Sequence, residues 1–196
     1  IEDIGIVTGY RRDLILKFNL SEFFNPDWAS TNMVSSLEKA DYWLQRYNCI
    51  VSYGDIFYDI KALKILNENN DDMALTYDPN WYSIWEKRFK NPLDDAENFK
   101  LNEDSNILKI GGRSENVSDI EGQYMGLVKF TPVSWSEVIR IRSKLGKTEK
   151  DKMDMTSLIQ KIIEENQIKV KGIAYKGQWG EVDSESDLKV FQSMLK

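Results

Sequence analysis

A chain of 196 residues, 41% hydrophobic and 30% charged, is long enough for one domain with a sizeable core and too ordinary in composition to be disordered. It has no histidine and one cysteine, Cys49, which excludes His-based dyads and triads, most zinc sites and any internal disulfide, and fits a reducing, cytoplasmic setting. A net charge of −6 gives no basic excess for a nucleic-acid backbone, and no apolar run approaches the roughly 20 residues of a membrane helix.

Residues 4–8 read as a short buried strand, Gly9-Tyr10 as a turn, and 11–18 as a helix with Leu14, Ile15 and Phe18 on one face. Residues 21–25 form a second strand, stopped by Pro26. Ser30 or Thr31 can cap the next helix, which carries Met33, Leu37, Ala40 and Leu44 as its apolar stripe and continues over 38–46. The stretch 49–53 is a strand whose Cys, Ile and Val suit burial on both faces, and it ends abruptly at Gly54-Asp55. A short helix over 60–66 leads through the turn-rich 67–72 to a strand over 73–77. Strand and helix alternate throughout, which predicts an α/β domain with a mainly parallel sheet, right-handed crossovers and helices on both faces.

After Pro79 the texture changes: 81–89 is aromatic and basic. Residues 99–101 and 107–110 are expected to pair as strands, with Gly111-Gly112 closing the ribbon. A longer strand over 121–130 follows, then a helix over 135–145 and a charged surface loop over 146–152. The helix predicted over 154–166 carries Met155, Leu158, Ile159, Ile162 and Ile163. A final strand over 170–175 and a turn over 179–183 precede a helix capped by Ser184 and running through Leu195.

In open α/β sheets, ligands bind beyond the carboxyl ends of strands. Asp55 stands at such an end, either as an oxygen donor of the kind Mg²⁺ takes or as a turn residue bonding its own loop. Asp183 follows a strand and precedes a helix, so it either faces the same sheet edge or caps the helix. Two carboxylates from separate loops meeting at one Mg²⁺ would hold a nucleotide's phosphates.

The ordered segments Gly5-Ile-Val-Thr-Gly-Tyr10, Phe24-Asn-Pro26, Thr31-Asn32, Ser36-Leu37, Ser52-Tyr-Gly-Asp55, Trp179-Gly-Glu-Val-Asp183 and Asp187-Leu188 resemble the bacterial nucleotidyltransferases. These enzymes move a nucleoside monophosphate from an NTP to a phosphorylated sugar or alcohol. Trp85-Glu-Lys-Arg-Phe89, Asn91-Pro-Leu-Asp-Asp-Ala-Glu97 and Gly122-Gln-Tyr-Met-Gly126 are similar to the phosphocholine cytidylyltransferase-like branch, and the resemblance spans essentially the whole chain. It implies a Rossmann-like three-layer fold with a mixed, mainly parallel central sheet and a small β-ribbon lid. It also implies a single domain, 1–196, with an acceptor-binding insertion at 79–126. The chain opens at Ile1 without an initiator Met, and the family's first strand, Gly-rich phosphate loop and first helix are expected upstream of it. The stretch by itself is therefore expected to be inactive.

The implied reaction is Mg²⁺-dependent transfer of CMP from CTP to a small phosphorylated acceptor, such as phosphocholine, a phosphonate or a related surface-polysaccharide head group, with release of pyrophosphate. Asp55 and Asp183 become the Mg²⁺ ligands by this resemblance. Arg88 is a candidate for the acceptor phosphate, or else a surface partner of Asp94, Asp95 or Glu97. Trp81, Trp85, Tyr124 and Phe89 form either an aromatic wall for an ammonium group or a core beneath a lid. Glu121 and Gln123 fall where the family contacts its acceptor, and Thr31-Asn32 starts a helix whose amides either face the site or serve only as a cap. Rival readings are a sugar-1-phosphate transferase using another NTP and a non-catalytic module on the same fold. A monomer or homodimer without nucleic-acid or membrane partners is expected.

Overall fold

The computed structural model describes residues 1 and 3–194. β1 (Gly5–Thr8) and β2 (Ser21–Phe24) pair in parallel across the short α1 (Arg12–Ile15) and form a ladder of their own. The expected long helix is broken into α2 (Met33–Leu37) and α3 (Asp41–Leu44) by a 3₁₀ turn over Glu38–Ala40. Its cap is Asn32, whose side chain accepts from the Met33 amide, and not Ser30 or Thr31.

β3 (Cys49–Ser52), β4 (Ile56–Tyr58), α4 (Ile60–Glu68) and β5 (Met73–Asp78) follow. The 79–126 stretch then supplies α5 (Tyr82–Arg88) and a ribbon of β6 (Glu97–Leu101) with β7 (Ile107–Arg113). Gly111 and Gly112 lie inside β7 at positive φ and do not close it. β8 (Gln123–Phe130), α6 (Pro132–Ser143), α7 (Lys147–Lys152), α8 (Met155–Glu165), β9 (Val170–Ala174), β10 (Trp179–Glu181) and α9 (Glu185–Met194) complete the order.

The central sheet runs β3-β8-β5-β9, with every residue of β5 buried. β8 is antiparallel to both β3 and β5, while β9 is parallel to β5. β3, β5 and β9 therefore share a direction and end at one rim. α4, α6 and α8 pack on this sheet. The predicted stripe of α8 is its buried side: Met155, Leu158, Ile159 and Ile162 are at most 2% exposed, and each such aliphatic burial contributes about 1.5–3 kcal/mol.

Two further expectations fail locally. Residues 147–152 are helical, because Glu149 caps the Gly146 amide and Lys147 pairs with Asp151 one turn on. The expected turn at 179–183 begins as β10, which pairs antiparallel with β4, a strand too short to show a period. Among the described residues, no helix is long and apolar enough to cross a membrane.

Candidate active site

The rim is built by anchoring β10 twice. The Trp179 indole donates to Asp78 Oδ2 at 2.9 Å, and the Asn80 amide occupies Asp78 Oδ1 at 2.7 Å, so the end of β5 grips the start of β10. Burial pushes the Asp78 carboxyl up, and the Trp179 bond opposes that. A Cβ on Gly180 would lie 2.5 Å from Phe191 and 2.7 Å from Phe57, so glycine lets α9 and β4 close on β10. The ladder pairs Glu181 with Ile56, and the Val182 amide donates to the Asp55 carbonyl at 2.9 Å. In an extended Glu-Val-Asp stretch the two carboxylates fall on one side. Asp55, Glu181 and Asp183 each present an oxygen to a common point, all within 4.8 Å of one another. Burial, then the Asp183 charge, pushes Glu181 up to about 7, with Arg88 opposing. Ser184 serves as the expected helix start: its Oγ accepts from the Asp187 amide, while Asp187 Oδ2 accepts from Ser184 N and Oγ.

Arg88, at the end of α5, reaches under this rim with its side chain 1% exposed. Its Nε donates to Asp187 Oδ1 and its Nη2 to Asp183 Oδ2, each at 2.9 Å. Nη1 lies 3.6 Å from Glu181 Oε2 and makes no hydrogen bond. Burial pushes the Asp187 carboxyl up, but its bonds from Arg88 and Ser184 outweigh that and hold it below its ordinary value.

Beside the carboxylates, Tyr53 and Tyr124 meet edge to face at 5.7 Å. Gly126 makes room for them: its φ is +78° and a Cβ there would lie 2.8 Å from the Tyr53 ring. The Tyr124 hydroxyl is buried without a hydrogen-bond partner. Burial, then the charges of Glu97, Glu181, Asp154 and Asp55, raises the Tyr53 phenol, so four acids lie near its hydroxyl. Glu97 is itself raised by burial and by Asp154, against a bond from Thr156.

No protein-family model matches the chain. It is 34% identical over 206 residues to CTP:phosphoglutamine cytidylyltransferase of Campylobacter jejuni, an alignment covering 97% of this chain and 81% of that protein. The chain belongs to the cytidylyltransferases. These are transferases of the bacterial nucleotidyltransferase group. Two solved structures share the fold. The inositol-1-phosphate CTP transferase from T. maritima has a TM-score of 0.69 at 21% identity, covering 98% of this chain and 74% of that one. The CTP:phosphocholine cytidylyltransferase from Streptococcus pneumoniae has a TM-score of 0.63 at 16% identity, covering 100% and 79%.

Within this cytidylyltransferase fold, Asp55 and Asp183 come together as the sequence suggested, and Glu181 joins them. Other expected site residues lie elsewhere. Arg88 is no open phosphate ligand, since its fork is occupied by acids beneath the rim. Trp81 and Trp85 are each 3% exposed and form no open wall. They sit one turn apart on the inner side of α5, and their indoles donate to the Ile120 carbonyl and to Asp95. Phe89 stacks on the Arg88 guanidinium at 4.9 Å. Of the proposed wall, Tyr124 alone adjoins the acidic site, through its ring contact with Tyr53.

Glu121 accepts from the Leu101 amide, and buried Gln123 clamps both the amide and the carbonyl of Glu97. Gln123 thus positions an acid beside Tyr53. The side-chain hydrogen bonds of Thr31 and Asn32 run to Asn25, Asp27, Met33 and Lys152, not to the acidic rim. Sequence reasoning passed over Glu181, Tyr53, Glu97, Asp154 and Asp187 as site residues. The alternation in Glu-Val-Asp was the available signal for Glu181, and Tyr53 adjoins the Gly54-Asp55 break.

Proposed function

We propose that this chain transfers CMP from CTP to a small phosphorylated acceptor and releases pyrophosphate, with Asp55 and Asp183 holding a Mg²⁺ ion and Glu181 beside them. The observation that carries the reading is the convergence of three carboxylates, from the β3–β4 loop and from the end of β10 and the turn after it, at the rim where β3, β5 and β9 end. The donor set is all carboxylate oxygen, the hard chemistry that Mg²⁺ takes. Bound there, the ion would neutralise charge on the nucleotide phosphates. The chain's own work is positioning. A phosphate acceptor is already ionised at neutral pH, so the attack needs no general base, which agrees with a site lacking histidine.

The acceptor in this reading carries an ammonium group next to its phosphate. Tyr53 and Tyr124 offer ring faces and edges, and Glu97 and Asp154 offer negative charge in the same place. The acceptors named for the relatives are phosphoglutamine, inositol 1-phosphate and phosphocholine. The test is pyrophosphate release by the full-length protein with each of the four NTPs. The acceptor panel is phosphocholine, phosphoethanolamine, aminoethylphosphonate, phosphoglutamine and sugar 1-phosphates. CTP with an amine-bearing acceptor is the expected best pair. A clear preference for a sugar 1-phosphate removes the ammonium assignment, and equal use of all NTPs removes cytidine selectivity.

A further inference from the structure

Asp183 has an exposed side chain, 49% accessible, and among the described residues its carboxylate takes one hydrogen bond, from Arg88 Nη2 to Oδ2. The donor is buried and held on several sides. Arg88 is held at Nε by Asp187, whose side chain is 7% exposed and is itself tied to Ser184. Its guanidinium also lies against the rings of Trp85 and Phe89, at 5.3 and 4.9 Å. The remaining nitrogen, Nη1, is buried, unpartnered and 3.6 Å from Glu181 Oε2, so the fork points into the carboxylate cluster.

A buried fork that occupies one oxygen of an exposed carboxylate biases how that carboxylate can bind a cation. With Oδ2 engaged in a charge-assisted bond, Asp183 offers its other oxygen more readily; chelation through both would put a dication on the oxygen that already carries the guanidinium bond, where the two cations repel. Mg²⁺ requires near-octahedral geometry with few protein ligands and suits one oxygen per carboxylate. Ca²⁺ is larger and readily takes a carboxylate through both oxygens. We propose that Arg88 is a positioning residue that restricts Asp183 to one-oxygen ligation and thereby biases the Asp55–Glu181–Asp183 cluster toward Mg²⁺ and against Ca²⁺. The inference rests on the reading of this cluster as a cation site.

The experiment needs no turnover. Mn²⁺ binding to the full-length protein is followed by electron paramagnetic resonance, and Mg²⁺ and Ca²⁺ are titrated separately as competitors. Arg88→Lys keeps a charge near Asp187 but cannot bridge both acids, and Arg88→Met removes the fork altogether; circular dichroism checks that each is folded. The ratio of Ca²⁺ to Mg²⁺ inhibition constants is expected to shift roughly tenfold toward Ca²⁺ in Arg88→Lys, and at least as far in Arg88→Met. A merely structural role for Arg88 would leave that ratio unmoved in folded protein. If Arg88→Met does not fold, Arg88→Lys alone decides. An unchanged ratio in the folded variants overturns the inference while leaving the cation site standing. No Mn²⁺ binding in the unsubstituted protein, or Mn²⁺ binding that neither Asp55→Asn nor Asp183→Asn weakens, overturns the cation site and the inference with it.

Discussion

Two arginines are almost completely buried in this molecule, and they do different things. Arg142, 2% exposed on its side chain, spends every nitrogen. Nε and Nη2 fork onto Glu38, Nη2 also donates to Ser35 Oγ, and Nη1 donates to the Lys150 carbonyl. That knot ties α6 to the 3₁₀ turn after α2 and to α7. Arg88 is buried as deeply but leaves Nη1 unpartnered, and its acids stand at the rim with Glu181 raised by burial and by Asp183. A fully satisfied buried network specifies one packing; a buried donor left over in a partly satisfied one calls for a separate explanation, such as a role in the site beside it.

Substitutions can break this contrast. The largest effect is expected at the rim. Asp55→Asn or Asp183→Asn should lower kcat/KM for CTP by roughly a thousandfold, since a catalytic cation contributes several kcal/mol. Melting temperatures should stay near that of the unsubstituted protein, and near-normal turnover would strike that aspartate from the cation site. Arg142→Met should instead cost about 3 kcal/mol in urea unfolding by stranding Glu38, while activity per folded molecule is retained. A loss below about 1 kcal/mol would put Arg142 in the class of surface pairs.

Gly126→Ala forces a Cβ onto Tyr53 at a φ of +78°. It should cost about 1–2 kcal/mol of stability and raise KM for the acceptor more than KM for CTP. Equal changes in both constants would separate Tyr53 from the acceptor.

The smallest effect belongs to an exposed arginine. Arg12 and Thr8 hold the Glu22 carboxyl at about 2, below its ordinary value. The sign follows directly: a depressed carboxyl contributes stability at pH values above its unfolded value, and that contribution fades as pH falls through about 2. Glu22→Gln should lower the neutral plateau of a melting-temperature profile slightly and flatten its acid side, the two proteins converging near pH 2. A steeper acid side in the variant would reverse the assignment.

The strands of the central sheet and the α8 stripe were legible because burial on a pleat or a helix face imposes a pattern that local sequence records, whereas the short β4 and β10 were not. Asp55 and Asp183 were legible as ends of elements next to Gly54 and Ser184. What the sequence did not carry was direction and depth. Trp81, Trp85 and Arg88 have the composition of a binding surface, yet spacing along one helix turned them inward, where indole N–H groups and a guanidinium must find acceptors at a distance in the chain. Asp95 and Asp187 supply those acceptors, and no local pattern links them to α5. The antiparallel run of β8 was hidden for the same reason: its residues read as a strand, but its neighbours lie far away in sequence.

That placement of β8 governs how the chain assembles during synthesis. β3 and β5 leave the ribosome early, but the strand that must lie between them emerges only after the 79–126 segment has been made. Until then two adhesive edges wait without a partner, and pairing them requires closure over long stretches of polypeptide, which is slow. Shortening that segment is therefore expected to speed maturation, and exposure of those edges in nascent protein to make chaperone capture its main early fate.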